Sequence, residues 1–451
     1  MSTKKKQVLI VQPSFHVYRN RSLIKRRAKT CLAPSLVSPY LASFFPVREC
    51  EVRIVDEVVS DIRSDKRYDL VAIPFATGQA YRAYELADRF RSTGSKVVLG
   101  GYHVSACPDE AARHADAVVI GEFEPCADRF IGDFLGGTLQ ARYASAERFE
   151  MKAMRFPRYD LVDWSKYSTP TFTKIPMETS RGCPNACTFC CVRVVHGNRV
   201  RFRPVDEVLE HVDRVRRDFA RLHPRFFFVD ENMVAFSERN TRLLEAFIPR
   251  KMQWSTFFST DICNHPEFVE LAARSGCVGA VVGFETTNRQ SLENVGKWGN
   301  RVQDYHKVAA LFRRNNIPVY ATIMAGFPND TRETLRETVS FLKAAKIPFS
   351  FFYPVYPFPG TAMFDALTRE GLLVKEAFWR DIHNMYDLIR IEAFHDTPDD
   401  FEREFRKMVR DYYSLRSIAG RSFGSSHALR ILVESIGLRL LHERYDSYAT
   451  V

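Results

Sequence analysis

The chain has 451 residues, and 65 Lys and Arg against 54 Asp and Glu leave a formal charge of +11. Hydrophobic residues make up 45% and charged residues 26%, which excludes a mostly disordered chain, a collagen and a small disulfide scaffold and leaves apolar sequence for more than one core. No run of about 18 apolar residues is present, so no spanning helix is expected. The Val8–Val11 run that follows Lys4-Lys5-Lys6 is too short for a secretory leader and reads as a first buried strand. The expected location is cytoplasmic, at most peripheral to the inner membrane face, with the ten cysteines mostly reduced.

From residue 1 to 143, strand-like runs at Gln7–Val11, Glu51–Val55, Leu70–Pro74, Lys96–Leu99 and Ala117–Ile120 alternate with amphipathic stretches, clearest at Ala80–Arg91. Such βα alternation predicts a parallel sheet covered by helices on both faces, with ligands beyond the carboxyl ends of its strands. The turns at those ends carry Thr77, Gly100, Gly101 and Gly121. The glycines allow close backbone approach to a ligand, or merely a tight turn. Residues 144–172, with Pro157 and Pro170, read as a linker.

From 173 to 377 a second alternation places strands at Thr173–Glu178, Arg225–Val229, Trp254–Thr260, Ala280–Glu285, Val319–Ala325 and Phe349–Val355. Helices fit Val205–Phe219, Thr241–Phe247, Pro266–Ser275, Val302–Asn315 and Thr331–Ala345. Six βα units are too few for a closed eight-stranded barrel and suit an open, partial (βα)6 barrel of TIM type. From 378 to 451 the pattern is helical. Pro398 precedes a helix at Asp399–Leu415, and Ser426–Glu443 sets Leu429, Leu432, Val433, Ile436 and Leu440 on one face. That face reads as packing on its own domain, with a peripheral membrane contact as the alternative.

The chemistry is carried by Arg181-Gly182-Cys183-Pro184-Asn185-Ala186-Cys187-Thr188-Phe189-Cys190, a C-x3-C-x2-C spacing in the loop after the first barrel strand. Thiolates are soft ligands suited to zinc or iron–sulfur clusters. Zinc in a structural site wants a fourth protein ligand, for which Cys191 and His196 are the neighbours. A redox pair of Cys187 and Cys190 would leave Cys183 unexplained. Three cysteines on a four-iron cube leave one iron open to a small chelator.

With Phe189 at the aromatic position, the motif resembles that of the radical S-adenosylmethionine (SAM) superfamily, C-x3-C-x-aromatic-C. The resemblance implies a 4Fe-4S cluster on Cys183, Cys187 and Cys190 whose open iron is chelated by SAM, and reductive cleavage to a 5′-deoxyadenosyl radical. It implies SAM contacts at Phe189, at Asp230 and Glu231 after the second strand, at Glu285 of Gly283-Phe284-Glu285, and at Gly326 and Pro328 of Ala325-Gly326-Phe327-Pro328. Tyr356-Pro357-Phe358-Pro359-Gly360-Thr361 resembles the family's segment after the sixth strand. For the carboxylates the bland alternative is a helix cap or a surface charge. One departure is Ser259, near where relatives carry an Arg after the Trp of the third strand.

Ile54-Val55-Asp56-Glu57, Val97-Val98-Leu99-Gly100-Gly101-Tyr102-His103 and Ala117-Val118-Val119-Ile120-Gly121-Glu122 resemble the cobalamin-binding subgroup, which sets a Rossmann-like domain before the radical barrel. The fold class expected is thus α/β: a Rossmann-like cobalamin-binding-type domain, a partial (βα)6 radical SAM barrel and a helical C-terminal tail. The resemblance implies cobalamin beside Thr77, Gly100, Gly101 and Gly121. The Asp-x-His-x-x-Gly motif that supplies an axial histidine is absent, and His103 does not read as a ligand. The function implied is methylation of an unactivated carbon in a lipid, tetrapyrrole or natural-product intermediate, with a flavodoxin- or ferredoxin-type electron donor. The alternative is a non-methylating radical reaction (ring formation, dehydration or carbon–carbon coupling) with a vestigial first domain, for which Tyr353, Tyr356 and Glu178 are the candidate proton-handling residues. A reading of another class is a non-catalytic iron–sulfur or nucleic-acid binding protein, using the basic run Arg19–Arg27 with Arg199, Arg201 and Arg203. The remaining cysteines, Cys31, Cys50, Cys107, Cys126, Cys191, Cys263 and Cys277, show no second-cluster spacing and read mostly as small core residues.

Overall fold

The structure is a computed structural model that describes residues 4–15, 33–167, 172–233, 238–380, 386–394 and 400–444, with side chains in the last helix given through residue 439. Arg19–Arg27, Cys31, Pro170, Pro398 and the Leu440 side chain lie outside the described residues. The chain divides into two compact units. The first is Met1–Pro184, Cys191–Phe227 and Trp379–Ile382; the second is Asn185–Cys190, Phe228–Phe378 and His383–Val451.

The first unit opens with six strands, β1 (Lys6–Gln12), β2 (Cys50–Asp56), β3 (Leu70–Pro74), β4 (Lys96–Gly100), β5 (Ala117–Ile120) and β6 (Arg142–Ala144). They pair in parallel in the order β2-β1-β3-β4-β5-β6. A parallel sheet is buried on both faces, so its strands read as continuous apolar runs; in β1, Val8, Leu9, Ile10 and Val11 are all buried. One face forms a core with Ala42 of α1 (Val37–Ala42) and with Phe130 and Phe134 of a later helix, Ala127–Gly136. The helix α2 (Ala80–Ser92) buries Ala83, Leu86, Ala87 and Phe90, an i, i+3, i+4, i+7 stripe, and packs on β3 and β4. A short helix α3 (Tyr102–Ala106) follows β4, and α4 is Ala127–Gly136. Residues 145–167 contain no strand, but they bury Met151, Tyr159, Trp164 and Tyr167. The unit continues with β7 (Thr173–Met177), an antiparallel pair β8 (Ser180–Arg181) and β9 (Arg201–Phe202), α5 (Val205–Asp218) and most of β10 (Pro224–Phe228).

The second unit carries α6 (Glu238–Phe247), β11 (Trp254–Phe258), α7 (Pro266–Arg274), β12 (Cys277–Glu285), α8 (Arg289–Asn294), α9 (Tyr305–Arg314), β13 (Val319–Ala325), α10 (Arg332–Ala344), β14 (Phe349–Pro354) and α11 (Ala362–Arg369). Its strands pair in parallel, and the complete six-stranded sheet runs β14-β13-β12-β11-β10-β7, the expected partial barrel. The β12–β13 register shifts between Gly283 and Glu285, a bulge at the carboxyl end of β12. The unit ends in helices α12 (Asp400–Tyr412), α13 (Leu415–Ser422) and α14 (Ala428–Arg444).

The packing face of α14 differs from the sequence expectation. Ile431, Ser435 and Leu438 are buried, whereas Leu429, Leu432 and Val433 are 75%, 41% and 61% exposed. The helix has two apolar stripes, and polar anchors choose between them. Arg430 donates to the Tyr320 hydroxyl at 2.5 Å and to the Val278 carbonyl at 3.3 Å, while Tyr320 donates to Glu434 at 3.1 Å. These bonds turn the 430–434 side towards β13 and leave the expected stripe outside. Among the described residues no helix is long and apolar enough to cross a membrane.

Candidate functional site

The cysteine loop begins in the first unit. Gly182 has φ +89, and a Cβ there would overlap the Arg199 carbonyl oxygen, so the turn into Cys183 requires glycine. Just before it, Arg181 is 8% exposed and paired with Glu124 at 2.6 Å and Glu178 at 2.9 Å. Glu178 is thereby held as an ion-pair partner. Arg201 is paired with Glu122 at 2.7 Å, and Arg203 donates to the Glu178 carbonyl at 3.0 Å and to His211 Nδ1 at 2.9 Å. Arg199 pairs with Glu150. Arg201 and Arg203 are buried, so they form no surface for phosphate, which removes that support for a nucleic-acid reading.

The rest of the loop belongs to the second unit. Thr188 N–H donates to the Val295 carbonyl at 2.9 Å, and its own carbonyl accepts from Met363 N–H at 3.0 Å. The loop is thus stitched to the segment after α8 and to the start of α11. Cys187 is buried and Cys190 partly buried. None of the described cysteines is in a disulfide. Lys297 Nζ lies 2.6 Å from Glu285 Oε1 and 5.7 Å from the centroid of the Phe189 ring. Glu285 closes β12 with φ +64, a left-handed conformation that a residue with a Cβ adopts only where its surroundings enforce it.

Asp230 is fully buried and Glu231 partly so, both just past β10. Gly326 has φ +100, and a Cβ would stand 2.7 Å from the Phe401 ring; its N–H donates to Asp330 Oδ2 at 2.9 Å. Its glycine is therefore demanded by packing within the unit as well as by any ligand. Pro328 follows in the same turn, and Ser259 donates to Asp261. Tyr353 lies on β14. The Tyr356 hydroxyl is buried without a hydrogen-bond partner among the described residues, its ring against Phe358 and Phe378.

At the carboxyl ends of the first sheet, Thr77 is fully buried, with Oγ1 3.2 Å from His103 Nδ1. The His103 ring is fully buried, with Phe75, Tyr84 and Trp379 at centroid distances of 5.7, 6.0 and 5.2 Å. Gly101 has φ +98, and a Cβ would meet the Phe75 carbonyl oxygen at 2.7 Å, so close chain packing alone explains this glycine. Gly121 is different: φ is +80, and a Cβ would meet nothing within 4 Å. A Cβ at Gly100 would be in ordinary contact with Val119 at 3.6 Å. Gly121 therefore borders open space at the strand ends, where this architecture binds ligands.

Residues 177–342 match the Radical SAM superfamily. The chain is 29% identical over 397 residues to a bacteriochlorophyllide d C-8(2)-methyltransferase of Chlorobaculum tepidum, covering 86% of this chain and 87% of the relative. It is 29% identical over 332 residues to the C-12(1)-methyltransferase of the same organism, covering 74% and 72%. Hopanoid C-2 methylase of Rhodopseudomonas palustris is 26% identical, covering 74% of this chain and 64% of the relative. Among solved structures, the radical SAM methyltransferase TsrM from Kitasatospora setae with cobalamin and a 4Fe-4S cluster bound superposes with a TM-score of 0.66 at 16% identity, covering 91% of this chain and 89% of that one. The cobalamin-dependent OxsB gives 0.62 at 18% identity, covering 90% and 61%. At such identity these structures share the fold.

The donor set of the loop fits an iron–sulfur cluster: three soft thiols outside any disulfide, with a buried ammonium in the same neighbourhood. Among the described residues no three His, Cys, Asp or Glu side chains are already gathered about a metal position, so ligation is read from the donors. The second unit brings Cys187, Phe189, Cys190, Glu285 and Lys297 into one neighbourhood. Sequence reasoning missed Lys297, along with the Arg181 and Arg201 ion pairs. Lys297 stands twelve residues past Glu285 on a separate turn, and no spacing rule links the two.

Proposed function

We propose that this chain is a radical SAM, cobalamin-dependent carbon methyltransferase acting on a hydrophobic ring substrate of the tetrapyrrole class. The observation that carries the reading is that one chain holds a C-x3-C-x2-C thiol loop against a buried Lys297–Glu285 pair and, in its other unit, a parallel sheet whose Gly121 borders open space. The substrate class follows the two bacteriochlorophyllide methyltransferases.

When bound, the cluster and SAM supply a 5′-deoxyadenosyl radical and cobalamin supplies the methyl group. In this reading Cys183, Cys187 and Cys190 hold the cluster and Phe189 contacts SAM. Asp230, Glu231, Glu285, Gly326 and Pro328 hold SAM. Thr77, Gly100, Gly101 and Gly121 border the corrinoid. His103, enclosed by Phe75, Tyr84 and Trp379, fixes the Thr77 hydroxyl through Nδ1. A flavodoxin- or ferredoxin-type donor supplies electrons. The outward Leu429, Leu432 and Val433 stripe supports peripheral contact with the inner membrane face, where a hydrophobic substrate would reside.

The test is anaerobic turnover with methyl-labelled SAM, a one-electron reductant and chlorophyllide-type substrates. Label in the substrate together with 5′-deoxyadenosine supports the proposal. Formation of 5′-deoxyadenosine with every substrate unlabelled contradicts methylation.

One observation favours a second reading, radical chemistry without methylation. The buried, unpartnered Tyr356 hydroxyl is pushed by burial above the ordinary phenol range, so it stays protonated. A Tyr356→Phe variant that still forms 5′-deoxyadenosine but yields a different product would support it; unchanged products would remove it.

A further inference from the structure

The turn after α8 makes contact in two directions. Its Val295 carbonyl accepts from Thr188 inside the cysteine loop. Five residues on, Asn300 Nδ2 donates to the carbonyls of Gly283 and Phe284 at 2.8 and 3.0 Å, gripping the bulged end of β12. Asn300 is itself held by Thr260, whose hydroxyl donates to its Oδ1 at 2.8 Å. Between these anchors stands Lys297, 15% exposed, its Nζ at 2.6 Å from the 9% exposed Glu285 carboxylate and 5.7 Å from the Phe189 ring. Burial alone would lower the Lys297 pKa. The Glu285 carboxylate at 2.6 Å outweighs it and shifts it upward, so the side chain is an ammonium ion.

We propose that Lys297 is a positioning and charge-compensating residue of the thiol loop: it holds Glu285 in its left-handed conformation and sets a fixed positive charge against Phe189, which lies between Cys187 and Cys190 in the chain. The inference rests on the cluster reading above. Reduction moves one electron from the flavodoxin- or ferredoxin-type donor, which is oxidised, to the cluster, which gains one unit of negative charge. A cation fixed nearby in a poorly solvated site stabilises that added charge, and its removal makes the cluster harder to reduce. Glu285 offsets the cation in part, so removing the carboxylate acts in the opposite direction.

The experiment uses the full chain, reconstituted anaerobically with iron and sulfide, as wild type, Lys297→Met, Lys297→Arg and Glu285→Gln. Iron and sulfide content are measured, followed by a redox titration read by electron paramagnetic resonance of the reduced cluster without SAM. Lys297→Met is expected to lower the reduced fraction at the wild-type midpoint at least about threefold, with Lys297→Arg restoring most of it. Glu285→Gln is expected to raise that fraction. An unchanged midpoint in Lys297→Met overturns the proposal, even if the apo-protein melts at a lower temperature, because a structural role alone gives that pattern. If folded Lys297→Met takes up no cluster, success of Lys297→Arg supports the proposal and equal failure overturns it. Wild-type protein that binds no iron and sulfide overturns the cluster reading instead.

Discussion

Arg201 and Glu122 are joined by two hydrogen bonds, Nη2 to Oε1 at 2.7 Å and Nη1 to Oε2 at 2.8 Å, with both side chains 2% exposed. Glu122 also accepts from Phe149 N–H at 2.8 Å and lies 3.0 Å from His196 Nδ1. Burial alone would raise its pKa. The hydrogen bonds from His196 and Arg201 and the charge of Arg181 override it and hold the carboxyl far below its usual range. Removing one partner of such a pair leaves an uncompensated buried charge. Glu122→Ala is therefore expected to destabilise the first unit by about 3 kcal/mol, read as a lower urea midpoint. A change within about 0.5 kcal/mol, as at an ordinary surface site, would refute this.

Glu110 gives a pH prediction. Trp379 Nε1 donates to it at 2.9 Å and Arg380 at 2.6 Å, with the His103 imidazole 3.9 Å away. Burial opposes ionisation, but these groups prevail and lower its pKa from 4.5 to about 2. A carboxyl with a depressed folded pKa binds more protons when unfolded, so its contribution is complete above the unfolded value and declines as pH falls through the folded one. The stability advantage of wild type over Glu110→Gln should be constant near neutral pH and shrink between about pH 4.5 and 2. Parallel stability curves across that window would contradict it.

Two glycines separate packing from ligand binding. Gly101→Ala brings a Cβ to 2.7 Å from the Phe75 carbonyl oxygen at φ +98, so it should cost at least about 2 kcal/mol whatever is bound. Gly121→Ala has the same adverse φ sign but open space, and should cost about 1 kcal/mol. Cobalamin retention should nonetheless fall in Gly121→Ala, because its methyl group projects into that space. Equal retention by folded Gly121→Ala and wild type would remove Gly121 from the site.

Cys187→Ala tests the cluster assignment. The variant should lose reductive cleavage of SAM while keeping the apo-protein's circular dichroism. Undiminished 5′-deoxyadenosine formation would defeat the assignment.

Much of this organisation is legible in the sequence, and the exceptions have physical causes. Leu70–Pro74, Ala117–Ile120 and Val319–Ala325 are strands at the residues expected, because buried parallel strands are apolar runs with sharp ends. The three residues of β6 and the two-residue partners Ser180–Arg181 and Arg201–Phe202 are too short to show a period. On α14 the sequence pattern predicts the Leu429–Leu432–Val433 stripe as the packing face, and the Arg430–Tyr320 bond that selects the other joins residues 110 apart. The thiol loop was legible because a ligand set is local. The ion pairs around it were not, because Glu122 and Arg201 stand 79 residues apart.

The central claim, radical methylation through cobalamin, is tested most directly by the cobalamin retained per chain. The protein would be reconstituted anaerobically with iron and sulfide, offered cobalamin, freed of unbound corrinoid and read by absorbance. About one cobalamin per chain beside an intact cluster is the predicted result. An intact cluster with no retained cobalamin would contradict the account and leave a radical enzyme whose first unit keeps the sheet without the corrinoid.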